Sequence, residues 1–121
     1  MIAMKKRKNV LMAFALMLFA TLSAAAQTKQ EEVKIKTSAV CKMCKATIEK
    51  SLAYEKGIKE ATLDVPSQIV TVTFNPTKTN AARIKKAINE TGYDADQLPA
   101  DARAYDRLDD CCKKDKGIHE N

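Results

Sequence analysis

Tryptophan is absent from this 121-residue chain. Phenylalanine, tyrosine, glycine and proline occur three times each, and histidine once, at His119. With so few aromatics and so short a chain, a large substrate pocket is not expected, nor is an elaborate enzyme. No internal repeat occurs, and no low-complexity tract beyond the first residues. The longest apolar run, Val10 to Ala20, is short for a membrane span, which needs ~20 residues. A basic excess is also largely missing once the N-terminus is set aside. The chain has 21 Lys+Arg against 15 Asp+Glu, but Lys5, Lys6, Arg7 and Lys8 belong to the first segment and no acid does, so +6 falls to +2. That leaves no warrant for nucleic-acid binding.

The first segment reads as a leader. A basic n-region at Lys5–Lys8 precedes the apolar run, and Ala24-Ala25-Ala26 supplies small residues in the A-x-A positions. Cleavage is expected before Gln27, giving a signal peptide over 1–26. An uncleaved anchor is the alternative. No cysteine lies near Ala26, which argues against a lipid anchor. The protein is therefore expected to be exported, periplasmic if the cell is Gram-negative, with no stable membrane insertion after cleavage.

What the chain does have is four cysteines, all beyond the leader: Cys41, Cys44, Cys111 and Cys112. An oxidising compartment makes disulfides the default expectation, and four cysteines allow three pairings. A Cys41–Cys44 bridge closes a tiny loop, and a Cys111–Cys112 bridge constrains still less. Only cross-pairs would staple the chain. Cys41-Lys42-Met43-Cys44 is a C-x-x-C pair between a strand-like run and a helix-like run. Such a pair either clamps one soft metal ion or cycles between dithiol and disulfide.

The remaining pattern gives one small domain. Glu31 to Ser38 alternates, with Val33 and Ile35 on one face, as a half-buried strand does. Cys44, Ile48 and Leu52 then recur at helical spacing from Lys42 to Tyr54, and Gly57 marks a stop. Ile58 to Val65 and Ile69 to Phe74 are strand-like around the turn Pro66-Ser67-Gln68, and so form a hairpin. Thr79 or Asn80 caps a second helix with Ala81, Ile84, Ala87 and Ile88 on its apolar side. Gly92 closes it, and Tyr93 to Leu98 is expected as a short last strand. This order is the ferredoxin-like βαββαβ sandwich, an α+β fold with a four-stranded antiparallel sheet and two helices on one face. A tail over 99–121 follows, with a short helix capped by Asp101 and Ala104, Tyr105 and Leu108 on its apolar side. Its charged end, Lys113 to Asn121, is expected to be mobile.

The strand–CxxC–helix unit resembles the heavy-metal-associated domain family. So do the helix stripe Ile84, Ala87, Ile88 and the strings Phe74-Asn75-Pro76 and Thr91-Gly92-Tyr93-Asp94-Ala95. The resemblance spans Glu31 to Leu98 and gives a domain over 27–98. A leader plus one such domain is similar to periplasmic mercury-binding proteins and exported copper chaperones. The chain departs from the family at Ser38 and Ala39, where Gly and Met are usual, and in Cys111-Cys112, which lie outside the family domain.

The resemblance implies a metal carrier and not an enzyme, with Cys41 and Cys44 as ligands and Tyr93 shielding the ion or serving as a core residue. Soft thiolates suit Cu(I) first, with Hg(II) and Zn(II) behind it, and zinc generally wants four ligands. The start of the helix, with Lys42 and Lys45, favours thiolates and would attract an acidic partner surface. An ordinary solvated helix face is the alternative for those lysines. Met43 can add a thioether or simply pack. Cys111 and Cys112 can supply further thiolates, resolve a disulfide, or hang free, and His119 is a ligand or an ordinary tail residue. Expected partners are a metal-transporting ATPase or another metal-carrier domain, with the protein monomeric or bridged into a dimer by a shared ion. A thiol–disulfide oxidoreductase using Cys41 and Cys44 is the competing function, and a pure docking module the third. Against the former, no strand–helix–strand unit precedes the pair, and neither Pro66 nor Pro76 matches the proline that thioredoxins place opposite it.

Overall fold

The computed structural model describes residues 29–120. The expected leader, 1–26, and its cleavage before Gln27 lie outside the described residues. The elements are β1 (Glu31–Lys36), α1 (Lys42–Ala53), β2 (Ile58–Asp64), β3 (Ile69–Phe74), α2 (Ala81–Glu90) and α3 (Ala102–Asp106). Two 3₁₀ turns follow, at Asp110–Cys112 and Lys114–Lys116. Among the described residues no helix is long and apolar enough to cross a membrane.

The β-branched run Ile69–Phe74 becomes the central strand. β3 pairs antiparallel with β1 on one side and β2 on the other, in the order β1-β3-β2. Period-two alternation sends Ile35, Leu63, Val70, Val72 and Phe74 to one face, where each is buried. The helical stripes Cys44, Ile48, Leu52 and Ile84, Ala87, Ile88 close over that face. Burying each large aliphatic chain contributes about 1.5–3 kcal/mol, and this one layer of contacts holds the sandwich together.

The last strand is shorter than the pattern predicts. Residues 93–98 make only isolated bridges, Thr37 to Ala95 and Ala95 to Leu98. Asp96 takes a left-handed φ of 51°, and Ala95 and Leu98 exchange backbone hydrogen bonds of 2.9 and 3.0 Å in a tight turn. The Asp96 carboxylate accepts from the Lys36 N–H at 2.9 Å while its own N–H donates to the Lys36 carbonyl at 2.7 Å. The edge of β1 is thus satisfied by a turn and one side chain in place of a fourth strand. The ferredoxin-like arrangement stands with three full strands and a bridge.

Gly92 fixes where the tail goes. Its φ is +103°, and a Cβ there would meet the Ala104 carbonyl oxygen at 3.0 Å and Leu108 Cδ2 at 3.1 Å. Only a glycine allows α3 to pack this closely on the corner after α2. Asp101 caps α3 as expected, accepting from the Ala104 N–H at 2.9 Å. The charged end, expected to be mobile, is instead docked. Lys114 pairs with Asp94 at 3.0 Å, and the His119 N–H donates to the Val40 carbonyl at 2.8 Å. Lys113 and Lys114 also stand 5.9 Å from the Tyr105 ring centroid, a cation–π arrangement.

Candidate metal centre

The loop between β1 and α1 carries the first two thiols. Thr37 and Ser38 build its base. The Thr37 hydroxyl accepts from the Ala39 N–H at 3.2 Å, and the Ser38 hydroxyl accepts from the Asp94 N–H at 2.8 Å. Gln68, at the hairpin turn with φ 63°, donates its side-chain amide to the Ala39 carbonyl at 2.9 Å. Ser38 and Ala39, the departures from the family pattern, are thus part of a hydrogen-bonded loop, and Ala39 is fully buried.

Cys41 is the N-cap of α1, with extended backbone (φ −155°, ψ 174°) and no side-chain cap hydrogen bond. Cys44 sits one turn further on, and the two sulfurs are 3.1 Å apart. The tail closes the group: Cys112 Sγ lies 3.9 Å from Cys41 Sγ, and Cys44 Sγ faces the Cys112 carbonyl oxygen at 3.8 Å. The three sulfurs all lie within 4.8 Å of one another, and all three residues are buried. Cys41 and Cys44 have no exposed surface. All four cysteines are free thiols.

Burial raises the pKa of Cys41 and Cys112, whereas for Cys44 the surroundings outweigh burial. The nearby Tyr93 hydroxyl, the backbone at Val40 and the Cys41 and Cys112 thiols together hold Cys44 below the ordinary thiol value. Of the three clustered thiols, Cys44 is the one whose surroundings favour the thiolate. Tyr93 is 1 % exposed and its hydroxyl has no hydrogen-bond partner, an arrangement that would be costly without a charge to face. The tyrosine is raised by burial first and then by the Cys44 thiolate beside it. The resemblance left Tyr93 as a shield for the ion or a core residue, and the structure buries it in the same core cluster as Cys41, Cys44 and Cys112.

Other expectations divide. Lys45 is not free for a partner: it pairs with Glu49 at 2.8 Å and donates to the Leu63 carbonyl at 2.7 Å. Lys42 remains exposed. His119 uses its backbone to strap the tail to Val40, and its ring Nδ1 lies 2.8 Å from the Gly117 carbonyl oxygen, apart from the sulfur cluster. A groove of about 740 Å³ runs beside the cluster, between α1, the end of β2 and the tail residues Ile118–Glu120; none of the four cysteines lines it. Spacing alone had no means of choosing Cys112 over Cys111, because only the tail's docking decides which sulfur turns inward.

Comparison with known proteins places this geometry. Over 54 residues the chain is 33% identical to the copper chaperone CopZ of Staphylococcus epidermidis, a match covering 45% of this chain and 79% of that protein. It is 34% identical over 55 residues to a copper-exporting P-type ATPase of Staphylococcus saprophyticus, covering 46% of this chain but only 7% of the ATPase. Among solved structures, the soluble region of the P-type ATPase CopA from Bacillus subtilis superposes with a TM-score of 0.54 at 30% identity, over 57% of this chain and 46% of that one. Oxidized MerP from Ralstonia metallidurans shares the fold with a TM-score of 0.54 at 22% identity, over 55% of this chain and 94% of its own. The family model for the heavy-metal-associated domain matches residues 24–94, more than half of the chain. This protein belongs to the heavy-metal-associated domain family.

Proposed function

We propose that the protein is an exported carrier of a soft metal ion, Cu(I) ahead of Hg(II) or Zn(II). Cys41 and Cys44 hold the ion as thiolates, with Cys112 as a third donor. The observation that carries this reading is the convergence of three buried sulfurs from two separate parts of the chain. An all-sulfur set is selective for soft ions, and three donors fall short of the four that zinc generally takes. The chaperone and ATPase relatives are copper proteins by name, which also supports copper. The thiol protons leave to solvent as the ion binds, and no bond-making catalysis is involved. The receiver is a metal-transporting ATPase or another carrier domain. Because Cys41 and Cys44 are fully covered, the ion reaches and leaves them only past the tail.

The test is an anaerobic Cu(I) titration of the reduced protein against a competing chelator, with Cys41→Ser/Cys44→Ser and Cys112→Ser beside it. Tight binding should vanish in the double variant and weaken in the single one. If the double variant competes as well as the parent, the site is elsewhere and the carrier reading fails.

The 3.1 Å separation of Cys41 and Cys44 also favours a second reading, thiol–disulfide oxidoreductase. In that reaction two electrons and two protons pass from the Cys41/Cys44 dithiol to a substrate disulfide, leaving two substrate thiols and a Cys41–Cys44 disulfide. Turnover on a substrate disulfide, at a reduction potential typical of dithiol oxidoreductases, would favour it over the carrier.

A further inference from the structure

The sulfur atoms continue past the buried triangle. Cys111 Sγ lies 3.9 Å from Cys112 Sγ, and Met43 Sδ lies 3.9 Å from Cys111 Sγ. Adjacent residues in an extended chain send their side chains apart. Here the 3₁₀ turn Asp110–Cys112, with the Cys112 N–H donating to the Asp109 carbonyl at 2.8 Å, brings both sulfurs to one side. Met43 meets the Cys111 sulfur from the first turn of α1. It is 45 % exposed, a long apolar side chain left at the surface where a tail thiol reaches it. Cys111 is half-buried and Cys112 buried, so the series runs from solvent at Met43 inward to Cys41 and Cys44.

We propose that Met43, Cys111 and the shared Cys112 form an outer soft-metal site, through which Cu(I) passes between solvent and the buried triangle. This rests on the reading of Cys41 and Cys44 as the inner site. Two thiolates and a thioether are a soft donor set, suited to a monovalent ion with a filled d shell. Met43 brings no charge, so the outer site holds its ion less tightly than the inner one, as a station for loading and release must. The Cys111 proton leaves to solvent on binding, and no electron is transferred. Because Cys112 belongs to both sites, an ion moves inward by exchanging one sulfur at a time and is never without a thiolate.

Native mass spectrometry during an anaerobic Cu(I) titration against a competing chelator tests this on the reduced protein. The parent should bind two ions per monomer, the second about ten-fold or more weaker than the first. Cys111→Ser and Met43→Leu should each remove the second ion and leave the affinity for the first within about three-fold, because Met43→Leu is close to volume-conserving at an exposed position. Saturation at one ion, a second ion seen only in a dimer, or two ions retained by both variants would overturn the outer site. Loss of the second ion in Cys111→Ser alone would remove Met43 from the donor set and overturn the three-donor assignment. The Cys41→Ser/Cys44→Ser arm separates the two readings: tight binding that survives there sinks the inner site, whatever the outer variants do.

Discussion

Helix α1 begins at Cys41 with φ −155° and ψ 174°, and α2 begins at Asn80 with φ −150° and ψ 170°. The backbone enters both helices in the same way. Asn80 uses its side chain for stability, with Oδ1 accepting from the Arg83 N–H at 2.9 Å. Cys41 makes no cap hydrogen bond and instead turns a sulfur toward Cys44 and Cys112. The N-terminal end of a helix carries partial positive charge and unpaired N–H groups. In α2 these are spent on holding the fold, and in α1 they are left to favour a thiolate. Two helices of one sandwich thus show, side by side, a cap that stabilises and one that leaves its side chain to the sulfur cluster.

Four substitutions would break or sharpen this contrast. Cys41→Ser exchanges the proposed metal ligand for a good capping residue. Cu(I) affinity should fall by about 100-fold or more, roughly 2.7 kcal/mol, while the metal-free thermal midpoint holds or rises. A drop in the metal-free midpoint as large as that from losing a cap would show that Cys41 was structural after all. Gly92→Ala places a Cβ against the Ala104 carbonyl at a φ of +103° and should cost roughly 1–3 kcal/mol in denaturant unfolding. It should also loosen the tail and so expose Cys41 and Cys44 to alkylation. Asn80→Ala removes the structural cap and should cost about 1 kcal/mol with no change in metal affinity.

The fourth concerns the thiolate itself. Tyr93→Phe removes the hydroxyl that helps hold Cys44 below the ordinary thiol value. A lowered thiol pKa means that thiolate persists to lower pH. Ultraviolet thiolate absorbance in the metal-free variant should therefore appear at higher pH than in the parent, and metal should be lost at a higher pH on acidification. Where the thiols are protonated, stability should hold or rise, because the buried hydroxyl removed has no hydrogen-bond partner. An unchanged titration would separate Tyr93 from the chemistry and leave it a core residue.

Much of this was readable from the residues. The alternation of Val70, Val72 and Phe74, the helical stripes and the C-x-x-C between strand and helix each depend on local period, which sequence records directly. The missing strand was harder to read, because Asp96 stops it with a left-handed turn and a side-chain bond to Lys36, an interaction sixty residues apart in the chain. Lys45 looked available to a partner for the same reason: the Leu63 carbonyl that accepts from it lies on another element.

The sequence by itself determined the order of elements as far as the second helix, the faces that form the core, the cap at Asp101, and Cys41 and Cys44 as the candidate pair. Those follow from periodicity and from the local hydrogen-bonding capacity of single side chains. Tertiary structure alone decided that the tail docks, that Cys112 joins the pair and buries it, and that Cys111 turns toward Met43. These depend on the Gly92 corner, the Lys114–Asp94 bridge and the His119–Val40 strap, contacts between segments far apart in the chain. No local pattern encodes them, because their energy exists only once both segments are folded into place.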